Sequence, residues 1–107
     1  MKKLHIALST HNIAASVTDY TQRLGLEPCC YIEYEFALWR TDCLNLSIRY
    51  DAYCKKGTLR HLGWEDPDTA EFCQETDAGG IVWEQFTAQQ QADEINEIWP
   101  DTNYTPR

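Results

Sequence analysis

Two histidines, His5 and His61, occupy matching positions in the two halves of the chain, each within a segment that reads as a β-strand. Alternation along a strand places Ala7 beside His5 and Gly63 beside His61, and these small neighbours leave space above each imidazole. Neutral imidazole is a common ligand of divalent ions, but protein metal sites generally use three or four ligands. The pair therefore predicts either a weak metal site or two hydrogen-bonded histidines without metal.

Carboxylates near the second histidine are the first candidates for a further ligand. Glu65 follows His61 by two residues and should share its strand face, so it could be a ligand, a general base or an ordinary residue at the rim. Glu97 and Asp101 become candidates only if the C-terminal segment folds back over the strands.

The five cysteines do not form a recognisable metal motif, because the chain contains neither CxxC nor HExxH. Cys29 and Cys30 are adjacent in a predicted strand and should point to opposite faces, one inward and one towards the surface. An odd number of cysteines, without a signal-peptide pattern at the N-terminus, predicts reduced thiols and a cytoplasmic protein.

The charge of the chain excludes some classes of partner. Seventeen acidic and nine basic residues give a net charge of −8, which argues against nucleic acid and anionic membranes as partners. No segment approaches the roughly 20 apolar residues of a membrane span. Metal ions, small molecules and other proteins remain as partners.

The spacing of apolar residues predicts the helices and strands that carry these side chains, and the length of 107 residues fits one domain. A helix is predicted over residues 13–24, with Asn12 as its N-cap and Gly25 after its end. A second helix is predicted at about 67–77, because Asp66-Pro67 resembles a helix start. Strands are predicted over residues 3–8, 28–33, 35–41, 44–50, 59–65 and 81–86.

The remaining segments join these elements. Residues 51–57 are polar, end in glycine and predict a linker between the two halves. Residues 89–91, Gln-Gln-Gln, are expected to lie in a loop. Residues 93–107 fit either a helical turn or a strand, so the conformation of the C-terminal part stays open. The shared order of strand, helix and strands suggests two repeated units that need each other to bury a sheet face.

The order of these motifs resembles a known superfamily. Residues 4–8, Leu-His-Ile-Ala-Leu, precede a helix that ends in Leu24-Gly25, and residues 57–65 read Gly-Thr-Leu-Arg-His-Leu-Gly-Trp-Glu. Together they resemble the vicinal oxygen chelate superfamily, also called the glyoxalase/bleomycin-resistance/dioxygenase superfamily. Within it, cadmium-induced proteins and carbon–arsenic lyases are the most similar members. The resemblance extends over residues 3–65 and fades after Phe86.

The resemblance implies a fold for the whole chain, residues 1–107. The expected architecture is α+β, with paired βαβββ modules that form a curled mixed sheet, or cup, and helices on its outer face. Module one would span about 1–51 and module two about 58–107. Because a convincing last strand is missing, and members commonly complete their cup by pairing two chains, a homodimer is expected.

The resemblance also implies a ligand set. His5 would be the metal ligand of the first module and His61 that of the second. The third ligand is usually a Glu on the last strand, a position that falls near Thr105 or Pro106, where no carboxylate stands. A position that is Glu in some members falls at Asn45.

Two functions follow from the resemblance. The first is a metal-dependent lyase, isomerase or dioxygenase that acts on a small molecule chelated at Fe, Zn or Ni, with Glu65 in a catalytic role and Asn45 and Trp64 contacting the substrate. The alternative is a metal-free dimeric module, similar to bleomycin-resistance proteins, that sequesters a cationic aromatic molecule. The net charge of −8 and four tryptophans fit the alternative.

Overall fold

The computed structural model describes all 107 residues as a single curled, open sheet of seven strands with two helices, which confirms the α+β class. The strands are β1 (Lys3–Thr10), β2 (Cys30–Ile32), β3 (Phe36–Arg40), β4 (Leu44–Tyr50), β5 (Leu59–Glu65), β6 (Cys73–Thr76) and β7 (Val82–Phe86). The helices are α1 (Ile13–Leu24) and α2 (Ala88–Ile98), and a 3₁₀ turn covers Pro100–Thr102. Neither helix is long and apolar enough to cross a membrane.

The strand order is β2-β3-β4-β1-β5-β7-β6, so the two halves of the chain meet where β1 pairs with β5 in antiparallel orientation. On one side β4 runs parallel to β1, and on the other side β7 runs parallel to β5. Both parallel neighbours are in turn flanked by antiparallel strands, β3 and β6. The second half shares the parallel and antiparallel pairings of the first, but no helix lies between β5 and β6, so the structure does not confirm paired βαβββ modules.

Helix α1 forms where the apolar spacing predicts it. Asn12 caps its start by accepting a hydrogen bond from the Ala15 N–H at 3.0 Å. Gly25 ends it with a positive φ of 67°, a conformation that glycine adopts without steric cost. One face of α1, which includes the buried Ile13, packs against four buried residues of β3 and β4: Ala37, Trp39, Leu46 and Ile48.

The helix predicted at about 67–77 is wrong. Residues 67–72 form turns and bends, and the strand β6 follows. Asp66 does act as a local acceptor, for the Asp68 N–H at 3.0 Å, but this bond closes a turn. Phe72 is the only large apolar side chain in this segment, so a helix here would have no apolar stripe to bury.

Helix α2 occupies residues that were expected to lie in a loop at 89–91. Thr87 and Gln90 form a capping box: the Thr87 hydroxyl accepts from the Gln90 N–H at 3.0 Å, and the Gln90 side chain accepts from the Thr87 N–H at 2.8 Å. Ala92 and Ile95 are buried and anchor the helix on the sheet.

The two helices lie on opposite faces of the sheet, so the expectation of helices on one outer face is wrong for α2. Ile95 packs with Phe36 and Leu38 of β3, whereas Ala37 and Trp39 of the same strand pack under α1. Alternate residues of a strand point to opposite faces. The two histidines lie on the side of the sheet that α2 covers. A cavity separates the histidines from the helix.

Candidate metal centre

Three ligand-type side chains converge on the α2 side of the sheet: His5 from β1, His61 from β5 and Glu84 from β7. The Nε2 atoms of the two histidines are 3.0 Å apart, and His61 Nε2 is 3.0 Å from a carboxylate oxygen of Glu84. All three ligand atoms lie within 4.8 Å of one another. Ligands about 2.0–2.2 Å from a common ion lie about 3 Å or slightly more apart, so this group could hold a metal ion.

The strand pairing explains why the three meet. In the antiparallel ladder of β1 and β5, His5 pairs with Gly63 and Ala7 pairs with His61, so the histidines are diagonal neighbours on one face. In the parallel ladder of β5 and β7, Gly63 pairs with Glu84. A Cβ atom on Gly63 would collide with the backbone carbonyl of Glu84, so glycine permits this approach of β7.

Asn45 of β4 sets the orientation of the His5 ring. His5 Nδ1 lies 2.9 Å from the Asn45 side-chain oxygen and 3.1 Å from its backbone carbonyl, both of which are acceptors. The proton of a neutral His5 therefore lies on Nδ1, and the lone pair of Nε2 points towards His61 and Glu84. This is the arrangement in which metal-binding histidines are usually held by a second layer of hydrogen bonds.

A buried polar network holds Asn45 in turn. Its side-chain N–H groups donate to Glu65 and to Gln91, each at 2.8 Å, and Gln91 donates back to the Asn45 oxygen at 3.2 Å. The guanidinium of Arg40 donates two hydrogen bonds to Glu65, one to each carboxylate oxygen, at 2.8 and 2.9 Å. These bonds fix which end of the Asn45 amide faces His5.

The electrostatics favour the protonation states that metal binding needs. Burial lowers the pKa of His5, which keeps its imidazole neutral. Burial alone would raise the pKa of Glu84, but the hydrogen bond from His61 and favourable electrostatic interactions with both histidines hold it below the ordinary value. A neutral imidazole and an ionised carboxylate thus face each other.

Glu65 and Trp64, predicted to have catalytic and substrate-binding roles, belong neither to the group of three ligands nor to the wall of the cavity beside it. Both carboxylate oxygens of Glu65 are engaged by Arg40 and Asn45, and Glu65 is not in the group of three ligands. Trp64 points to the opposite face of β5, where its ring lies 6.2 Å from that of Trp83 and 5.5 Å from the Lys2 ammonium. Asn45 lies behind His5 and is not part of the cavity wall.

No carboxylate stands near Thr105 or Pro106, and the acidic residue that lies beside the two histidines is Glu84 of β7. Residues 103–107 form no regular element, and the strand parallel to β5 is β7. The sequence contains a signal for Glu84 that the prediction of ligands did not use. Glu84 lies two residues from Val82 and two from Phe86, so it is an acid on an otherwise apolar strand face. Cys29 is exposed and Cys30 buried, as alternation predicts, and all five thiols are free.

A cavity of about 150 Å³ opens beside the three ligand-type residues, between the sheet and α2. Phe36, Phe72 and Trp99 contribute aromatic walls, and Arg49 and Arg60 contribute positive charge. No protein-family model matches the chain, and a search of curated proteins found no match.

Proposed function

We propose that this chain is a vicinal-oxygen-chelate-type protein in which His5, His61 and Glu84 bind a divalent ion and a small molecule completes the coordination. The observation that supports the proposal is the convergence of three ligand atoms, from three neighbouring strands, within 4.8 Å. A His₂–carboxylate set is typical of zinc hydrolytic sites and of non-haem iron(II) sites that keep positions open for substrate.

Each residue has a defined task in this proposal. His5 and His61 supply neutral nitrogen ligands, and Glu84 supplies the negative charge that two imidazoles lack. Asn45 and Glu65 hold the His5 ring so that Nε2 faces the ion, which assigns Glu65 a positioning role through Asn45. When bound, a divalent ion acts as a Lewis acid that stabilises negative charge developing on a substrate oxygen.

The reaction class proposed is that of a lyase, isomerase or dioxygenase acting on a molecule small enough for the cavity beside the ion. Fe²⁺, Zn²⁺ and Ni²⁺ all accept two imidazoles and a carboxylate, so ligand type leaves the three as candidates. The alternative, a metal-free module for a cationic aromatic molecule, has less support, since two arginines line the cavity.

Calorimetric titration with Zn²⁺, Ni²⁺ and, without oxygen, Fe²⁺ tests the proposal. We expect one ion per chain, with binding lost or weakened at least about 10-fold in His5→Ala, His61→Ala and Glu84→Gln. Glu94→Gln is the matched control, because Glu94 lines the same cavity but is outside the ligand group. Circular dichroism checks that each variant is folded.

Two outcomes would contradict the proposal. One is a wild-type protein that binds none of the three ions. The other is a set of folded His5, His61 and Glu84 variants that bind as tightly as the wild type.

A further inference from the structure

Two arginines of the cavity wall, Arg49 and Arg60, form no ion pair within 4 Å. The ion pairs within 4 Å involve other residues: Lys2–Asp66, Arg23–Asp19, Arg40–Glu65 and His61–Glu84. Neither guanidinium makes a side-chain hydrogen bond, although that of Arg49 lies 5.2 Å from the centre of the Trp99 ring. Arginine is a donor-only side chain, so both groups have unused donors facing the cavity.

A strand irregularity places Arg60 in the cavity. Ala7 pairs with His61 and Leu8 pairs with Leu59, so Arg60 is an extra residue in β5, a β-bulge. In a regular strand Arg60 would point away from His61, but a bulge re-aims a side chain, and both residues line the cavity. The bulge thus brings a guanidinium to the same side as the ligand group.

The charges of the cavity wall balance one another, whereas the whole chain is strongly acidic. The chain has a net charge of −8, yet the cavity wall contains two guanidinium groups and two carboxylates, Glu84 and Glu94. With Glu84 on a divalent ion, the cavity has a positive excess. Two like charges that approach each other in a half-buried wall are costly unless an anion compensates them.

The size and walls of the cavity limit the anion. An apolar cavity of about 150 Å³ is large enough to bind benzene, and this cavity has a similar volume. Phe36, Phe72 and Trp99 provide flat apolar surfaces on which a ring can pack. A carboxylate is the small organic anion whose two oxygens match the fork of an arginine.

We propose that the cavity takes a small organic carboxylate of about the size of one aromatic ring, with its carboxylate on Arg49 and Arg60 and its opposite, oxygen-bearing end towards His5, His61 and Glu84. The placement of the oxygen-bearing end rests on the proposed function, because the ion holds that end. The contact of the carboxylate with Arg49 and Arg60 does not depend on the ion.

The test compares 3,4-dihydroxybenzoate with catechol, which has the same vicinal oxygens and lacks the carboxylate. Both are titrated into the Zn²⁺-loaded protein by calorimetry at about pH 7, where the carboxylate is ionised. We expect 3,4-dihydroxybenzoate to bind at least about 10-fold more tightly than catechol. Arg49→Gln and Arg60→Gln should each reduce this preference and leave Zn²⁺ and catechol binding unchanged.

Arg23→Gln is the matched control, since Arg23 is an exposed arginine of α1 on the other face of the sheet. Benzoate titrated into metal-free protein separates the two proposals. If no ion binds but benzoate binds in an arginine-dependent way, the metal function fails and the carboxylate site stands. Equal affinity for the two catechols, or a preference that survives in both arginine variants, overturns the carboxylate site.

Discussion

At the scale of single residues, Asn45 connects the candidate metal centre to the buried network behind it. It is fully buried, accepts from His5 and donates to Glu65 and Gln91. Removing its amide leaves buried partners without hydrogen bonds, which costs about 1–3 kcal/mol. The His5 ring also loses the side-chain acceptor that orients it.

We therefore expect Asn45→Ala to weaken metal binding by about 10- to 100-fold and to lower the free energy of unfolding by about 2 kcal/mol. Calorimetry and urea unfolding measure the two effects. Gln91→Ala is the comparison, because it removes a partner of Asn45 and leaves the bond to His5 in place. Unchanged metal affinity in folded Asn45→Ala would show that Asn45 does not position His5.

Glu65 makes folding stability depend on pH. Burial alone would raise the pKa of Glu65, but hydrogen bonds from Arg40 and Asn45 lower it below its ordinary value. A lowered pKa in the folded state stabilises the protein above the unfolded pKa of about 4.3. That contribution is lost as the pH falls through the folded value.

We expect Glu65→Gln to lower the free energy of unfolding by about 3 kcal/mol near pH 7, because it leaves the half-buried Arg40 without its anion. The difference from wild type should shrink below about pH 4. Urea titrations across this range measure it. The control is Asp19→Asn, which breaks an exposed ion pair with Arg23 and should lower the free energy of unfolding by less than about 1 kcal/mol. A gap between Glu65→Gln and wild type that widens towards acid would refute the assignment.

At the scale of elements, the contact of β5 with β7 decides whether Glu84 reaches the histidines. Gly63 pairs with Glu84, and any Cβ atom at Gly63 would collide with the Glu84 backbone. The clash is with backbone, so relief requires a movement of β7.

Gly63→Ala should therefore lower the free energy of unfolding by about 1–3 kcal/mol and weaken metal binding at the same time. Gly79→Ala is the control, because a Cβ atom there meets only a side-chain oxygen of Asp77 at an ordinary 3.5 Å. Thermal unfolding and Zn²⁺ calorimetry on both variants test this. A Gly63→Ala protein with wild-type stability and affinity would mean that β7 tolerates the displacement.

At the scale of the whole molecule, the sheet ends in an exposed edge. All four residues of β6, Cys73–Thr76, are exposed, and β6 has a strand on one side only. Unpaired edges of this kind are sites for pairing with another chain. A homodimer in which two copies of β6 pair would cover the β6 edge of each copy, since a twofold axis brings the same strand of each copy together.

Light scattering under reducing conditions, at tens of micromolar, should give about twice the chain mass of 12.4 kDa. Gln74→Pro, which removes a backbone donor from the outer side of β6 and leaves the bonds to β7 in place, should shift the protein towards the monomer. Circular dichroism confirms that the variant keeps its fold. A wild-type mass of one chain would rule out this dimer.

Part of the candidate site follows from residue patterns alone. His5 and His61 stand at equivalent points of two similar segments, and the pairing of β1 with β5 brings them together. Glu84 could be placed in a strand but not beside β5, because β7 reaches β5 only after the chain has passed through β6. The pairing partner of a strand depends on burial across the whole sheet.

The features that residue patterns predict correctly are local: helix α1 with its two caps, the alternation of β4, and the opposite directions of Cys29 and Cys30. These features depend on neighbours within a few residues. Three features could not be read from local patterns: the parallel placement of β7, the docking of α2 over the histidine face and the bulge that turns Arg60 into the cavity. Each of these depends on contacts between segments far apart in the chain, whose free energy is settled by packing and not by local preference.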